Sequence, residues 1–121
     1  MRPWTVGALE RECRKALMDP ALSVRLTQLD GKEAAYIEWA AGDKARVVVD
    51  PHEMGVKPAL IHELLHHVLS DDVGDLEDDL EEALVLAWED VLTRHVNRSR
   101  YRVRWWREAI RRKVRGARAE A

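Results

Sequence analysis

The sequence predicts an α+β fold in which a three-strand antiparallel sheet packs against helices. Apolar residues recur at helical spacing in residues 5–18, 57–69 and 76–96, as in helices that bury one face. Between residues 23 and 50 the apolar period changes to two, as in the strands of a half-buried sheet. The 121 residues can bury one core, so a single domain over residues 1–121 is expected.

The first helix is predicted over residues 5–18. Thr5 is a suitable N-cap because its hydroxyl can accept a hydrogen bond from the first turn, and Asp19-Pro20 ends the apolar pattern. The apolar positions at helical spacing are Val6, Leu9, Cys13 and Leu17. Cys13 is the only cysteine of the chain, which excludes an internal disulfide and indicates a small buried apolar residue.

Three strands are expected between residues 23 and 50 because two pairs of turn residues divide the apolar positions. Asp30-Gly31 and Gly42-Asp43 are combinations typical of hairpin turns. Hairpin turns join successive strands in opposite directions, so we expect an antiparallel meander. One face of this sheet would pack on the next helix, and an edge strand beside that helix could bind an extended peptide.

The helix predicted over residues 57–69 carries His62, Glu63 and His66 at the spacing His-Glu-x-x-His. Histidines four residues apart lie one turn above each other on the same helix face, so both imidazoles can reach one ion. Glu63 projects about 100° round the helix from His62, where it can reach a water held by that ion. Pro58 suits a first helical position. The apolar stripe of this helix consists of Ile61, Leu64, Leu65 and Val68.

This mixture of polar and aliphatic residues indicates a metal site. Two imidazoles and a carboxylate beside so much aliphatic surface would be costly unless they were bonded. A zinc ion bonds two histidines directly and a glutamate through water. The sequence therefore predicts zinc as the cofactor and His62 and His66 as its ligands. Glu63 is the expected general base, which takes a proton from the water.

The third protein ligand is expected on the helix predicted over residues 76–96, because a catalytic zinc usually takes three. Glu81 is slightly favoured over Glu82, since its neighbours on the helix face are uniformly apolar. Those neighbours are Leu84, Val85, Trp88 and Leu92. A further alternative is Asp72, but the sharp turn that such a ligand needs usually contains glycine, and the chain has Leu69 there.

These residues resemble the small gluzincin-type zinc metallopeptidases, including single-domain forms common among phage and mobile-element proteins. The resemblance covers residues 47–92 and rests on a strand ending in VVVDP, the motif IHELLHHVL and a helix beginning LEEALVLA. It implies a zincin-like fold and the hydrolysis of peptide bonds, with a protein or peptide as substrate. The residues that it assigns are His62 and His66 as zinc ligands, Glu63 as the base, and Glu81 or Glu82 as the third ligand.

The chain departs from this family in two respects. The aspartate that often follows the glutamate ligand by one turn is missing, since Val85 and Leu86 stand four residues after Glu81 and Glu82. No tyrosine or histidine is clearly placed to stabilise an oxyanion. A structural or degenerate zinc site is therefore the alternative to an active one.

Charge is balanced overall but unevenly divided along the chain. The formal net charge is only −2 although 35% of the residues are charged, so the total favours no particular partner. Residues 71–82 contain eight acidic residues and no basic one. Most of these carboxylates are expected in solvent, in a loop and in the first turns of a helix, where the helix dipole favours them.

The C-terminal residues 94–121 are predicted to form a basic amphipathic helix with Trp105, Ile110 and Val114 on its apolar edge. Its cations are Arg94, Arg98, Arg100, Arg102, Arg104, Arg107, Arg111, Arg112, Lys113, Arg115 and Arg118. In one interpretation the aromatic side chains pack on the core and the arginines face water or the acidic segment. In the other, the arginines bind phosphates or an acidic partner and an aromatic side chain stacks on a base. The alternative function is therefore a nucleic-acid-associated binding module.

No membrane span or signal peptide is predicted. The chain contains no apolar run of about 18 residues, and its first residues lack the basic, apolar and small-residue order of a signal peptide. A cytoplasmic location is therefore expected.

Overall fold

The computed structural model describes residues 3–29, 31, 34–40, 42, 44–53 and 55–120. In chain order, the elements are α1 (Val6–Met18), β1 (Leu22–Leu26), β2 (Ala35–Ala40), β3 (Lys44–Val49), α2 (Val56–Val68), α3 (Ser70–Val73), α4 (Asp78–Asn97) and α5 (Arg100–Glu120). The predicted α+β class is confirmed. Among the described residues, no helix combines the length and the apolar character that crossing a bilayer requires.

The first helix follows the sequence prediction closely. α1 begins after Thr5, whose Oγ1 accepts a hydrogen bond from Ala8 N at 3.1 Å. Cys13 is buried on the inner face of α1. Burial, together with the nearby charges of Glu10 and Glu12, raises the pKa of the Cys13 thiol to about 12. This thiol therefore behaves as a small apolar side chain, as predicted.

The sheet differs from the prediction in how its strands pair. β3 lies between β1 and β2, and β2 pairs antiparallel with β3 through a hairpin at Gly42, whose φ of 76° suits glycine. β1 instead runs parallel to β3, with Val24 opposite Val47. The antiparallel meander is therefore wrong, because the sheet is mixed. Asp30 and Asp43, each half of a predicted turn pair, lie outside the described residues.

The burial of β3 explains why it takes the central position. Val47, Val48 and Val49 are all buried. Since successive side chains of a strand point to opposite faces, three buried positions in a row require cover on both faces, which favours a central strand. β1 and β2 are joined by residues 27–34, a connection longer than a tight hairpin turn, and β3 pairs between them.

Asp50, just after β3, forms hydrogen bonds with the segment that connects β1 and β2. Its carboxylate accepts hydrogen bonds from Leu29 N and His52 N, both at 3.0 Å. These bonds hold the pKa of Asp50 below its usual value, because they stabilise the charged form. Asp50 N also donates to the carbonyl of Ala34 at 2.9 Å. The start of β2 is thereby held against the end of β3.

α2 is surrounded by the rest of the fold. It contacts β2 and β3 of the sheet and packs against α1 and α4. The predicted apolar stripe is confirmed, since Ile61, Leu64 and Leu65 are buried and Val68 is partly buried in the core. This packing fixes the axial rotation of α2, and therefore the direction in which its polar residues project.

α5 packs on β1, α1 and α4. Trp106 is fully buried, and Trp105 is partly buried under the guanidinium of Arg14, which lies 4.3 Å from the ring centroid. These two aromatic residues of the basic segment pack on the core, whereas Tyr101 is exposed.

The carboxylate of Glu10 joins α1, α4 and α5. Its Oε2 accepts hydrogen bonds from Trp106 Nε1 and Arg14 Nη2, both at 3.1 Å. Its Oε1 lies 3.3 Å from Arg102 Nε and 3.5 Å from His95 Nε2. Burial acts to raise the pKa of Glu10, but the hydrogen bonds from Trp106 and Arg14 outweigh it and hold that pKa below the usual value.

We expect replacement of Glu10 by alanine to lower the free energy of unfolding by about 3 kcal/mol, because the buried partners of its carboxylate lose their acceptor. Glu10→Gln should cost less, since the amide oxygen still accepts from Trp106. Urea unfolding followed by tryptophan fluorescence measures both values. The matched control is Glu12→Ala, which removes a carboxylate in a more exposed pair with Lys15 and should cost under about 0.5 kcal/mol. Equal losses for Glu10→Ala and Glu12→Ala would contradict this account.

The contribution of Glu10 should also depend on pH. Because its pKa is lower in the folded protein than in the unfolded chain, its stabilisation is complete above its ordinary pKa of 4.5. It is lost as the pH falls through the folded value. The difference in unfolding free energy between the wild type and Glu10→Gln should therefore shrink from pH 7 to pH 3. A constant difference over this range would mean that the carboxylate charge contributes nothing.

Candidate metal centre

The two histidines of α2 point their Nε2 atoms to one place. His62 and His66 are one helical turn apart, their ring centroids are 4.9 Å apart, and their planes are inclined by 71°. Their Nε2 atoms are separated by 3.3 Å. Both side chains are mostly buried, with 15% and 17% of their surfaces exposed. The four-residue spacing therefore brings the Nε2 atoms of His62 and His66 close together, and we call these two residues the convergent pair. The sequence predicted that both imidazoles could reach one point.

Glu82, on the facing helix α4, contacts the Nε2 atoms of both histidines. One carboxylate oxygen, Oε1, lies 2.9 Å from His62 Nε2, and the other, Oε2, lies 3.0 Å from His66 Nε2. The candidate ligand atoms of His62, His66 and Glu82 all lie within 4.8 Å of one another. α4 brings Glu82 into place because it packs directly against α2.

The other nitrogen of each imidazole faces a second carboxylate of α4. His66 Nδ1 lies 2.9 Å from Glu81 Oε2, and His62 Nδ1 lies 3.2 Å from Glu89 Oε2. Glu81, which the sequence slightly favoured as the third ligand, therefore lies on the side of His66 away from the convergence point. The geometry favours Glu82 as the candidate third ligand and gives Glu81 and Glu89 an orienting role.

The sequence analysis did not identify Glu89 as a neighbour of the candidate site. It stands seven residues after Glu82, which is about two helical turns, so the two side chains leave α4 on the same face. Glu89 thus reaches His62 from two turns beyond the candidate ligand Glu82, whereas the sequence analysis looked only one turn beyond it. Glu89 could have been identified from the sequence as an acidic residue at helical spacing from Glu82 on a partly apolar helix face.

Both nitrogens of each imidazole face a carboxylate. Nδ1 of His66 and of His62 faces Glu81 and Glu89, and Nε2 of both rings faces Glu82. A carboxylate oxygen only accepts a hydrogen bond, so either a hydrogen or a cation has to lie between each Nε2 and Glu82. A histidine that binds a metal through one nitrogen commonly donates the hydrogen of the other to a carboxylate, and Glu81 and Glu89 lie where they could accept it.

The donor set and its dimensions suit zinc. Zinc takes histidine nitrogens at about 2.0–2.1 Å and carboxylate oxygens at about 2.0–2.2 Å in a tetrahedron, so neighbouring ligand atoms should be about 3.3 Å apart. The Nε2 atoms of His62 and His66 are separated by this distance. The 2.9 and 3.0 Å contacts with Glu82 are shorter by about 0.3–0.4 Å, within reach of a small movement of its half-exposed side chain.

Glu63 lies where two cavities meet. A cavity of about 400 Å³ and another of about 330 Å³ are both lined by Glu63, His66 and Ala35. Glu63 is buried, with 8% of its surface exposed. The first cavity continues towards Trp39, and the second continues past His62 to Glu89. The candidate metal centre therefore lies inside a cleft with room on both sides of Glu63.

The edge of β2 forms one wall of this cleft. Ala35, Tyr36 and Ile37 all line the first cavity. Side chains of a strand alternate between faces, so three consecutive residues can line one cavity only where the edge of the strand faces it. β2 is an edge strand, since among the described strands it pairs only with β3. No other strand in the described part of the chain pairs with its outer edge.

Asp72, the further alternative for the third ligand, lies elsewhere, and so does the neighbouring histidine His67. Asp72 lies on the short helix α3, where its Oδ2 accepts a hydrogen bond from Trp4 Nε1 at 2.6 Å. The ring of His67 packs against Trp39, with centroids 4.9 Å apart. Burial lowers the pKa of His67, which favours its neutral form. His67 therefore packs against Trp39 beside the cleft and is not part of the convergent pair.

Comparison with known proteins adds no assignment. No protein-family model matches the chain, and neither the curated proteins nor the solved structures contain a match.

We expect the purified protein to bind one zinc ion per chain, with Glu82 as the carboxylate ligand. Isothermal titration with zinc should show strongly weakened binding for Glu82→Gln. Glu81→Gln and Glu89→Gln should keep the stoichiometry and lose about 10–100-fold in affinity, because they only orient the histidines.

Asp79→Asn is the matched control, since this exposed carboxylate belongs to the same end of α4 and contributes no candidate ligand. Its zinc affinity should equal that of the wild type. Loss of binding in Glu81→Gln with binding retained in Glu82→Gln would reverse the assignment of the third ligand.

Proposed function

We propose that the protein is a zinc-dependent peptidase of the zincin-like class, which hydrolyses a peptide bond at the centre formed by His62, Glu63, His66 and Glu82. The observation that carries this proposal is the convergence of two Nε2 atoms and a carboxylate beside a buried glutamate at the middle of a cleft. A site that only stabilised the fold would have no need of a cleft on both sides.

The three candidate ligands favour a metal site with one coordination position left open over a site filled by four protein ligands. Structural zinc sites usually have four protein ligands, mostly cysteines, whereas catalytic sites have three and keep one position for water or substrate. The described residues bring three candidate ligands together, and the only cysteine of the chain is buried in α1. When bound, zinc would polarise the scissile carbonyl and lower the pKa of water towards neutrality.

Glu63 supplies the proton transfers. Its position next to His62 and at the junction of the two cavities puts the carboxylate beside the place where a water and a peptide carbonyl would meet. The carboxylate takes a proton from the attacking water and then donates it to the leaving nitrogen, which returns Glu63 to its charged form. His62 and His66 are held for this reaction by Glu89 and Glu81.

The edge of β2 suits an extended peptide as the substrate. Backbone groups along a free strand edge can bind a peptide as an added strand, while side chains of the peptide occupy neighbouring pockets. Both cavities contact Ala35 at the start of β2, and the first follows β2 to Trp39. A peptide bound along this edge would carry its backbone past Glu63.

We expect the zinc-loaded protein to cleave members of a fluorescence-quenched peptide library, and Glu63→Gln to reduce the rate by about 10²–10⁴-fold. The variant should keep its zinc content, because Glu63 is not among the candidate ligands. Zinc content is measured by elemental analysis of the same samples used for the rate measurements.

Glu53→Gln is the matched control, because this exposed glutamate lies in the turn before α2 and lines neither cavity. It should hydrolyse the peptides at the rate of the wild type. Equal activity in Glu63→Gln and the wild type would exclude Glu63 as the base. Full zinc loading without cleavage of any library member would reject the peptidase and leave a structural metal site.

A further inference from the structure

The outer face of α5 carries a row of arginines, which we call the arginine stripe. Its members are Arg100, Arg104, Arg107, Arg111 and Arg115. All five are exposed. At about 100° per residue they fall within a sector of roughly 80°, and at about 1.5 Å per residue they extend over roughly 22 Å of the helix. The stripe is therefore a narrow, straight and strongly basic surface.

The fold does not neutralise this surface. No member of the arginine stripe forms an ion pair with a described residue. Neighbouring arginines do pair, since Arg94 lies 3.2 Å from Asp90 and Arg102 lies 3.3 Å from Glu10. The acidic segment from Asp71 to Glu82 makes no such contact with the stripe. Like charges at helical spacing repel one another, so a polyanion bound along the stripe would be favoured.

α5 presents the stripe in a fixed orientation. Its opposite face is anchored by Trp106, Ala109 and Ile110, which are buried in the core. Glu10 ties the first turns of α5 to α1 through Arg102 and Trp106. Because the helix is already held, a ligand that binds the stripe does not have to order it.

A basic cleft adjoins the beginning of the stripe. It has a volume of about 530 Å³ and lies between α1 and α5. The basic side chains that line it are Arg11, Arg14, Lys15 and Arg102. Tyr101 also lines this cleft and is 77% exposed, the largest exposure among the large hydrophobic side chains of the described residues. The carboxylate of Glu10 lines the cleft as well and pairs with Arg14 and Arg102. An aromatic ring thus lies beside the stripe, at the edge of a cleft with more basic than acidic side chains.

We propose that the arginine stripe and Tyr101 form a binding surface for single-stranded nucleic acid. The arginines would contact successive phosphates, and the ring of Tyr101 would stack on a base whose neighbour reaches the cleft. Repeating charges with flat aromatic groups between them are the properties of this ligand. The surface is separate from the candidate metal centre on α2 and α4, so the proposal does not depend on zinc.

The structure favours this ligand over two other polyanionic surfaces. A membrane would require an apolar face to enter the lipid, but the apolar face of α5 is used in the core. A nucleic-acid duplex would satisfy the arginines, but it hides the faces of its bases from Tyr101. Single strands use both parts of the surface.

The test is fluorescence anisotropy of a labelled 20-nucleotide DNA, as a single strand and as a duplex, titrated with the 121-residue protein at several salt concentrations. Co-sedimentation with vesicles of anionic lipid is measured in parallel. The stripe variant carries Arg104→Gln, Arg107→Gln and Arg111→Gln. Each phosphate contact in a single strand contributes about 0.7 to the slope of log affinity against log salt concentration. The stripe variant should therefore lower the steepness of this slope by about 2.

A charge-matched control carries Arg25→Gln, Lys44→Gln and Arg46→Gln, which remove three exposed cations from the sheet. Its affinity and slope should equal those of the wild type. Tyr101→Ala should weaken binding about tenfold without changing the slope, and Tyr101→Phe should retain binding, because phenylalanine still stacks. Circular dichroism melts check that each variant is folded.

Three outcomes would overturn the proposal. Equal slopes for the stripe variant and the control would show that the stripe makes no phosphate contacts. Equal affinity for the duplex and the single strand, with no effect of Tyr101→Ala, would make it a general anion surface. Binding to vesicles of anionic lipid without binding to the oligonucleotide would assign the surface to membranes.

Discussion

The burial of α2 is the constraint on which the rest of the candidate site depends. Its aliphatic residues are enclosed by the sheet, α1 and α4, so its rotation about its own axis is fixed. That rotation places His62 and His66 at the boundary with α4 and turns Glu63 towards the edge of β2. The positions of the polar groups therefore follow from the packing of the apolar ones. A less tightly packed helix would leave the separation of the two Nε2 atoms undefined.

The carboxylates of α4 complete the arrangement, and each has a different position. Glu82 faces both Nε2 atoms, whereas Glu81 and Glu89 face one Nδ1 atom each. If a metal ion takes the place of hydrogen at Nε2, the hydrogen of each ring stays on Nδ1, where Glu81 and Glu89 can accept it. The proposed zinc ion would thus account for the positions of all three glutamates with one interaction.

The sequence predicted the local features and missed those that depend on how elements meet. Periodicity was sufficient to predict that α1, α2, α4 and α5 exist, because each buries a stripe at its own helical spacing. The predicted start of the basic helix at residue 94 was wrong, since residues 94–97 belong to α4 and α5 begins at Arg100. The predicted order of the strands was wrong, because the pairing of β1 was inferred from the turn residues. Val47, Val48 and Val49 carried the missing information, because consecutive apolar residues indicate a central strand. The choice between Glu81 and Glu82 could not be made from the helix face alone. Both residues contact a histidine, and only the rotation of α4 relative to α2 decides which nitrogen each one meets.

X-ray absorption at the zinc edge would identify the ligands of the proposed centre, because it reports the atoms bound to the ion in solution. For the protein loaded with one equivalent of zinc, we expect four light scatterers at about 2.0–2.1 Å and the multiple-scattering pattern of two imidazoles. The His62→Ala variant should show one imidazole. A spectrum of the wild type with no imidazole, or with a sulfur ligand from Cys13, would contradict the proposed centre.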